Sequence, residues 1–309
     1  MIPVTVPVLL GPTAVGKTAY AVRIADELGL EIVSCDSRQV YKRMDIGTAK
    51  PSPGELAAVK HWMVGIVEPS ERYSAFRYAL DASRIIRERA RDGKAVMLCG
   101  GSGLYFQALS GGIGPQVAAD PDIRRRYTDM AAHVGREAVW ERLKAIDPAT
   151  AFSSHAGNLV RNIRALEVFE TMGVPLSELK KQAVPPQDLR FRTIVLTLPR
   201  PELYRRINDR VDAMARRGLW DEFQTLRRLG YDRTSPGLGC LGYKELFDVE
   251  EKKADLHSAI ERIKQNTRHY AKRQLTWLRH QVNGVEIVLS DADASDRIRN
   301  LIVAWQKKQ

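Results

Sequence analysis

Short apolar runs recur along the chain, and the first three end abruptly in polar or Gly-rich sequence. Residues 4–10, 31–35, 95–99 and 192–198 are the runs; they are too short for amphipathic helices and predict buried strands of a largely parallel sheet. Helical patterning fills the intervals. Residues 18–28 predict a first helix, and residues 74–91 another, with Phe76, Leu80 and Ile86 on its apolar side and Gly93 just past its end. From residues 111–115 to Pro185-Pro186 the pattern changes: no strand appears, Gly and Pro punctuate both ends, and residues 121–134, 137–146, 159–172 and 176–182 read as helices. Two long helices, 201–229 and 256–281, a short strand at 285–289 and a terminal helix complete the expected order. The pattern predicts an α/β core interrupted by an all-helical insertion, with divisions at 1–115, 116–190 and 191–309.

With 309 residues, 44% of them hydrophobic, the chain can bury a full core, which argues against disorder. A formal net charge of +11 points to a polyanionic partner such as nucleic acid, or else to a basic but otherwise ordinary enzyme. Cys35, Cys99 and Cys240 are isolated and lack C-x-x-C spacing, so neither a disulfide framework nor a zinc site is expected, and a reducing cytoplasm fits. The N-terminal residues lack a charged-then-apolar signal pattern and no apolar run approaches membrane-spanning length, so no membrane partner is expected.

The chemistry begins directly after the first run. Gly11-Pro12-Thr13-Ala14-Val15-Gly16-Lys17-Thr18 matches the G-x-x-x-x-G-K-[ST] phosphate loop in its proper strand-to-helix setting. Its glycines let successive backbone N–H groups turn towards a polyphosphate, the following helix aims its positive end there, Lys17 adds a point charge and Thr18 a hydroxyl for Mg²⁺. The loop leaves open whether the phosphates belong to a nucleotide. Ligands of open parallel sheets sit beyond the strands' carboxyl ends. The second run ends in Asp36-Ser37-Arg38-Gln39 and the third in Gly100-Gly101-Ser102-Gly103-Leu104-Tyr105, so Asp36 falls near the phosphates as an indirect metal ligand or a general base.

Those segments belong to a longer ordered set: Asp36 to Lys42, Met44-Asp45-Ile46-Gly47-Thr48-Ala49-Lys50-Pro51, Gly100 to Tyr105, Arg164-Ala165-Leu166-Glu167-Val168, Gly242-Tyr243-Lys244, and Arg273-Gln274-Leu275-Thr276-Trp277-Leu278-Arg279. The set runs from about Val8 to about Arg279 and resembles the bacterial tRNA dimethylallyltransferases. The resemblance implies a P-loop kinase-like parallel sheet core whose helical insertion grips the anticodon stem. It implies that Gly11 to Thr18 hold the pyrophosphate of dimethylallyl diphosphate with Mg²⁺, and that the prenyl group passes to N6 of the adenine beside the anticodon. Asp36 takes the amine proton, while Ser102 and Arg210 complete the implied catalytic group. Implied tRNA contacts are Asp36, Ser37, Arg38, Gln39 and Ser102 near the acceptor base; Arg124, Val160, Arg161, Asn162, Ile163 and Arg164 in the insertion; and Gly239, Cys240, Leu241, Gly242, Tyr243, Lys244, Arg273 and Trp277 beyond it. Ser102 stands where the family usually has threonine, keeping the hydroxyl without the methyl, and Asn158 where it usually has an acidic residue.

RNA asks for cations along its backbone and flat surfaces for unstacked bases. Arg161 and Arg164 share a helix face, and Arg124-Arg125-Arg126 and the helix bearing Lys264, Arg268, Lys272, Arg273 and Arg279 add charge. Tyr243, Tyr270 and Trp277 are candidate platforms, set against ordinary core packing, just as the arginines are set against ion pairing within their own helices. Three rival readings share the loop: a small-molecule or nucleotide kinase, a transferase acting on free adenine nucleotides, and a P-loop RNA-binding protein without transfer activity. A monomer is expected.

Overall fold

The computed structural model describes residues 3–112 and 117–307. β1 (Val4–Leu10) leads through the phosphate loop into α1 (Lys17–Leu28), followed by β2 (Glu31–Cys35), α2 (Pro53–Ala58), β3 (His61–Trp62), α3 (Ala75–Arg91), β4 (Val96–Gly100) and α4 (Gly103–Ser110). Five helices come next: α5 (Pro121–His133), α6 (Arg136–Ile146), α7 (Pro148–Ser153), α8 (Leu159–Met172) and α9 (Leu176–Lys181). The chain continues through β5 (Leu189–Thr197), α10 (Arg200–Arg216), α11 (Leu219–Arg228), α12 (Leu246–Glu250), α13 (Leu256–Gln281), β6 (Val285–Val288) and α14 (Ala294–Gln306). Contacts divide it into two compact units, one holding residues up to Ser110 and from Pro186 onward, the other Gly111–Pro185.

In the first unit the strands pair in the order β3-β2-β4-β1-β5-β6, all parallel. Helices cover both faces of such a sheet, which is why its central strands read as nearly unbroken apolar runs. On one face Leu9, Ile32, Met97, Ile194 and Leu196 pack with Ala21, Ile24 and Ala25 of α1 and with Ile298 and Ile302 of α14. β1 lies between β4 and β5, so the loop that follows it emerges at the middle of the sheet's carboxyl edge. The second unit has its own core, built from Tyr127, Val139, Leu143, Ile163 and Leu166. There the buried Asp147 accepts N–H bonds from Thr150, which caps α7, and from Ser177. Among the described residues no helix is long and apolar enough to cross a membrane.

Several local expectations are corrected. Residues 201–229 form two helices, because Gly218 turns left-handed at φ 93° between α10 and α11. On α3 the buried face is Tyr78, Ala82, Ile85 and Ile86, while Leu80 is exposed. β3 is only two residues long, too short for periodicity, yet it extends the sheet through Ile32 and Val33. The Gly-rich segment after β4 starts a helix, α4. The expected division near residues 115 and 116 lies outside the described residues, and the one at 190 falls inside β5, where Leu189 pairs with Val4.

Candidate active site

A cavity of about 770 Å³ opens where the carboxyl ends of β1, β2 and β4 meet α10 and α13, all within the α/β unit. Its floor is the phosphate loop. Gly16, left-handed at φ 109°, turns the chain into α1, and no side chain caps that helix or places an acid in its first turn. The contrast with α2, α3, α5, α7 and α13, capped by Ser52, Ser74, Asp120, Asp147 and Asp255, is plain. The leading N–H groups of α1 and the positive end of its dipole are thereby left to an anion.

Lys17 and Arg210 bring two cations into this floor. Lys17 Nζ donates to the Pro12 carbonyl at 2.7 Å, and an Arg210 nitrogen lies 3.4 Å from Thr13 Oγ1. Burial pushes the Lys17 ammonium down to about 8, against the pull of Asp36 and with the like charge of Arg210 adding to the burial. Burial likewise lowers Arg210, against Asp36. Both desolvated cations have neutral oxygen partners and neither is ion-paired with Asp36, so they lack the contacting negative charge that a diphosphate supplies. Thr18 and Asp36 line the same cavity.

Asp36 is fixed by its own turn: one carboxylate oxygen accepts the backbone N–H groups of Arg38 at 2.8 Å and Gln39 at 3.3 Å. Gln39 in turn donates to the Ala49 carbonyl and accepts from Ser34, so its side chain braces the loop. Ser102 is buried; its hydroxyl accepts the Ser37 N–H at 2.8 Å and so joins the loops after β2 and β4. That makes Ser102 a support for the Asp36 turn, and it does not line the cavity as the sequence suggested.

Gln274 was not singled out from sequence. It stands on the buried face of α13 with Ala271 and Leu278. Its side-chain oxygen accepts the Thr13 N–H at 2.9 Å and its amide donates to the Gly101 carbonyl at 2.8 Å, fastening the phosphate loop to the loop after β4. A lone amide on an otherwise apolar helical stripe was the available signal. One turn on, Trp277 packs so closely on Gly103 that a Cβ there would sit 2.4 Å from the ring, so one face of this expected RNA platform is spent on packing.

The remaining walls come from the 239–244 turn and from α13. Gly239, Cys240, Leu241, Gly242 and Lys244 line the cavity, as do Ser37, Arg38, Tyr270 and Arg273. Tyr243 does not: it is fully buried and donates its hydroxyl to Glu222 at 2.6 Å, a structural position where an RNA contact was expected. The three thiols are free and buried, with burial raising Cys35 to about 12 and Cys99 and Cys240 to about 11.

In the helical unit the expected RNA contacts divide sharply. Val160 and Arg161 are exposed, Val160 at 82%. Ile163 is buried, and Asn162 is fully buried, accepting from Ser154 and donating to the His155 carbonyl. Arg124 and Arg164 converge on Glu167, which has no exposure at all, at 2.8 and 2.5 Å. Burial alone would raise the Glu167 carboxyl, but the two arginines hold it below its ordinary value. Arg125 pairs with Asp122 and Arg126 with Glu170, so the arginine run is absorbed by partners within the unit.

The family model described as IPP transferase matches residues 39–281. The tRNA dimethylallyltransferase of Roseiflexus castenholzii is 45% identical over 94% of this chain and 94% of its own length, and that of Thermotoga maritima 42% identical over 95% and 96%. Among solved structures, a full-length tRNA isopentenylpyrophosphate transferase from Bacillus halodurans matches with a TM-score of 0.72 at 36% identity, covering 98% of this chain and 97% of that one. A eukaryotic dimethylallyltransferase acting on tRNA matches with a TM-score of 0.78 at 25% identity, covering 97% of this chain and 78% of that one. With the family model matching residues 39–281 and relatives at 42–45% identity covering about 94–95% of its length, the chain belongs to the IPP transferase family.

Proposed function

We propose that this cavity transfers a dimethylallyl group from dimethylallyl diphosphate to the exocyclic N6 of the adenine beside the anticodon of tRNA. The observation that carries the reading is the meeting of Asp36, fixed by its turn, with the desolvated cations Lys17 and Arg210 in one cavity. The names of the relatives supply the class of donor and acceptor.

In the transfer, the adenine amine attacks the first carbon of the prenyl chain, the carbon–oxygen bond to the diphosphate breaks, and pyrophosphate leaves with the bonding electrons. The amine proton passes to Asp36. A positioned carboxylate of this kind contributes about 10²–10⁴ in rate. Charge growing on the departing oxygens falls among the loop amides, Lys17 and Arg210, which are placed before reaction begins. Gln274 and Ser102 hold the loops that carry these groups.

The site suits Mg²⁺: the Thr18 hydroxyl is a hard oxygen ligand on the cavity beside the phosphate loop, where substrate phosphates would supply the remaining oxygens. No cluster of three or more His, Cys, Asp or Glu that could hold a metal exists among the described residues, which fits an ion held largely by substrate phosphates. When bound, Mg²⁺ neutralises diphosphate charge. Such a substrate places the enzyme in the cytoplasm. The test is to incubate the protein with undermodified tRNA, Mg²⁺ and radiolabelled dimethylallyl diphosphate, with labelled ATP as the control donor. Label should enter tRNA from the diphosphate only; phosphoryl transfer from ATP would replace this reading with a kinase.

A further inference from the structure

The Glu222 side chain on α11 takes part in none of the chemistry above, yet it gathers four donors. One carboxylate oxygen accepts the backbone N–H groups of Asp45 and Ile46, both at 2.8 Å. The other accepts the Gly47 N–H at 3.0 Å and the Tyr243 hydroxyl at 2.6 Å. Three consecutive N–H groups converging on one carboxylate form an anion-binding turn whose anion is supplied by the protein itself. The same contact joins two chain segments far apart in sequence. A Cβ on Gly47 would lie 2.5 Å from the Tyr243 ring, so the turn and the phenol touch without a gap.

Both segments are walls of the cavity. Gly47, Thr48, Ala49 and Lys50 line one side, and Gly239 to Gly242 with Lys244 line another. The first wall is not relaxed backbone: Ala49 is left-handed at φ 49°, a conformation that an alanine holds only under external restraint. None of the partners of Glu222 belongs to the phosphate loop.

We infer that Glu222 is a positioning residue for the acceptor, holding the 45–50 turn and the 239–244 turn at the separation that admits the adenine and its neighbouring nucleotides. This rests on the proposed function, in which the phosphate loop takes the donor and the opposite walls face RNA. A purely structural strut would lower thermal stability alone. A positioning residue instead separates the two substrates: the acceptor is bound less well while the donor is not.

The experiment uses the full chain with Glu222→Gln, which exchanges one accepting oxygen for an NH₂ group; each oxygen accepts at least one backbone N–H of the turn, so either amide orientation leaves one unmet. The acceptor KM for undermodified tRNA should rise about tenfold or more, as expected for an unmet hydrogen bond to a charged group. The Kd for pyrophosphate with Mg²⁺, by calorimetry, should stay within about twofold. An unchanged acceptor KM, or equal loss of both affinities, overturns the inference. Should Glu222→Gln not fold, Tyr243→Phe removes one of the four bonds and should show the same separation at about threefold; its absence is equally contrary. Lys244→Ala tests the underlying reading independently. If it leaves tRNA affinity intact, the RNA-facing wall itself is wrong; if it weakens tRNA binding while Glu222→Gln does not, only the role of Glu222 falls.

Discussion

The α/β unit and the helical unit each set two cations beside one carboxylate, and they differ in whether those charges are paired. In the cavity of the α/β unit, Lys17 donates to the Pro12 carbonyl and Arg210 to Thr13 Oγ1, neither is ion-paired with Asp36, and burial lowers both cations. In the helical unit the buried carboxylate of Glu167 faces two cations, Arg124 and Arg164, and is held ionised by them. The first arrangement is incomplete without an anion; the second is complete in itself. Two cations and a carboxylate thus serve a ligand in one place and a fold in the other, and what tells them apart is whether the charges touch one another.

The sharpest way to break this comparison is at Asp36. Asp36→Asn keeps a side-chain oxygen for the Arg38 N–H but cannot accept the amine proton, so the single-turnover rate should fall about a hundredfold or more with donor binding retained. A rate within about threefold of wild type removes the base assignment. Next in size is Gln274→Met, which leaves the Thr13 N–H and the Gly101 carbonyl without their partner. Transfer at saturating tRNA should drop about tenfold, with weaker pyrophosphate binding by calorimetry.

The helical unit supplies a paired test. Arg164→Ala strips one partner from buried Glu167 and should destabilise the fold by roughly 1–3 kcal/mol, seen as a lower melting temperature. Arg161→Ala removes an exposed cation that donates to the Ser153 hydroxyl, so melting should hardly change. If that face meets tRNA phosphates, log affinity against log salt should flatten by about one unit for Arg161→Ala. The reverse pattern, stability lost at Arg161 and salt slope lost at Arg164, would contradict the division drawn here.

The smallest effect is in pH. Because the free enzyme's Lys17 sits near 8, its charge is full below that pH and is lost as pH rises through it. The protonated form binds the diphosphate, so donor affinity should be flat from pH 6 to 7 and decline by a few-fold as the pH passes above about 8. In Lys17→Met that decline should vanish, leaving uniformly weak binding.

Much of the core was legible because its signals are local. The phosphate loop is a contiguous motif between a strand and a helix, and Asp36 stands at the end of an apolar run, so both could be placed without tertiary information. What sequence could not show was pairing. Arg124, Arg161 and Arg164 look alike on a helical face, and the burial of Glu167 that separates them depends on α5 packing against α8. Tyr243 reads as an aromatic beside a lysine in a Gly-rich turn; its burial follows from Gly47 and Glu222, both distant in sequence. Gln274 lay inside a motif whose aromatic and basic residues drew attention, while its bonds run to residues 261 and 173 positions away. The φ of Gly218 was equally hidden, since a glycine inside helical periodicity marks a break only when its backbone turns.

The claim at the centre of the account is that the cations of the α/β unit are kept for a diphosphate donor. Calorimetric titration of the wild-type protein in Mg²⁺ with dimethylallyl diphosphate, and separately with ATP, addresses it directly. Saturable binding of dimethylallyl diphosphate that is lost in Lys17→Met and Arg210→Gln, with markedly weaker binding of ATP, is the predicted result. Micromolar ATP binding together with no measurable binding of dimethylallyl diphosphate would contradict it.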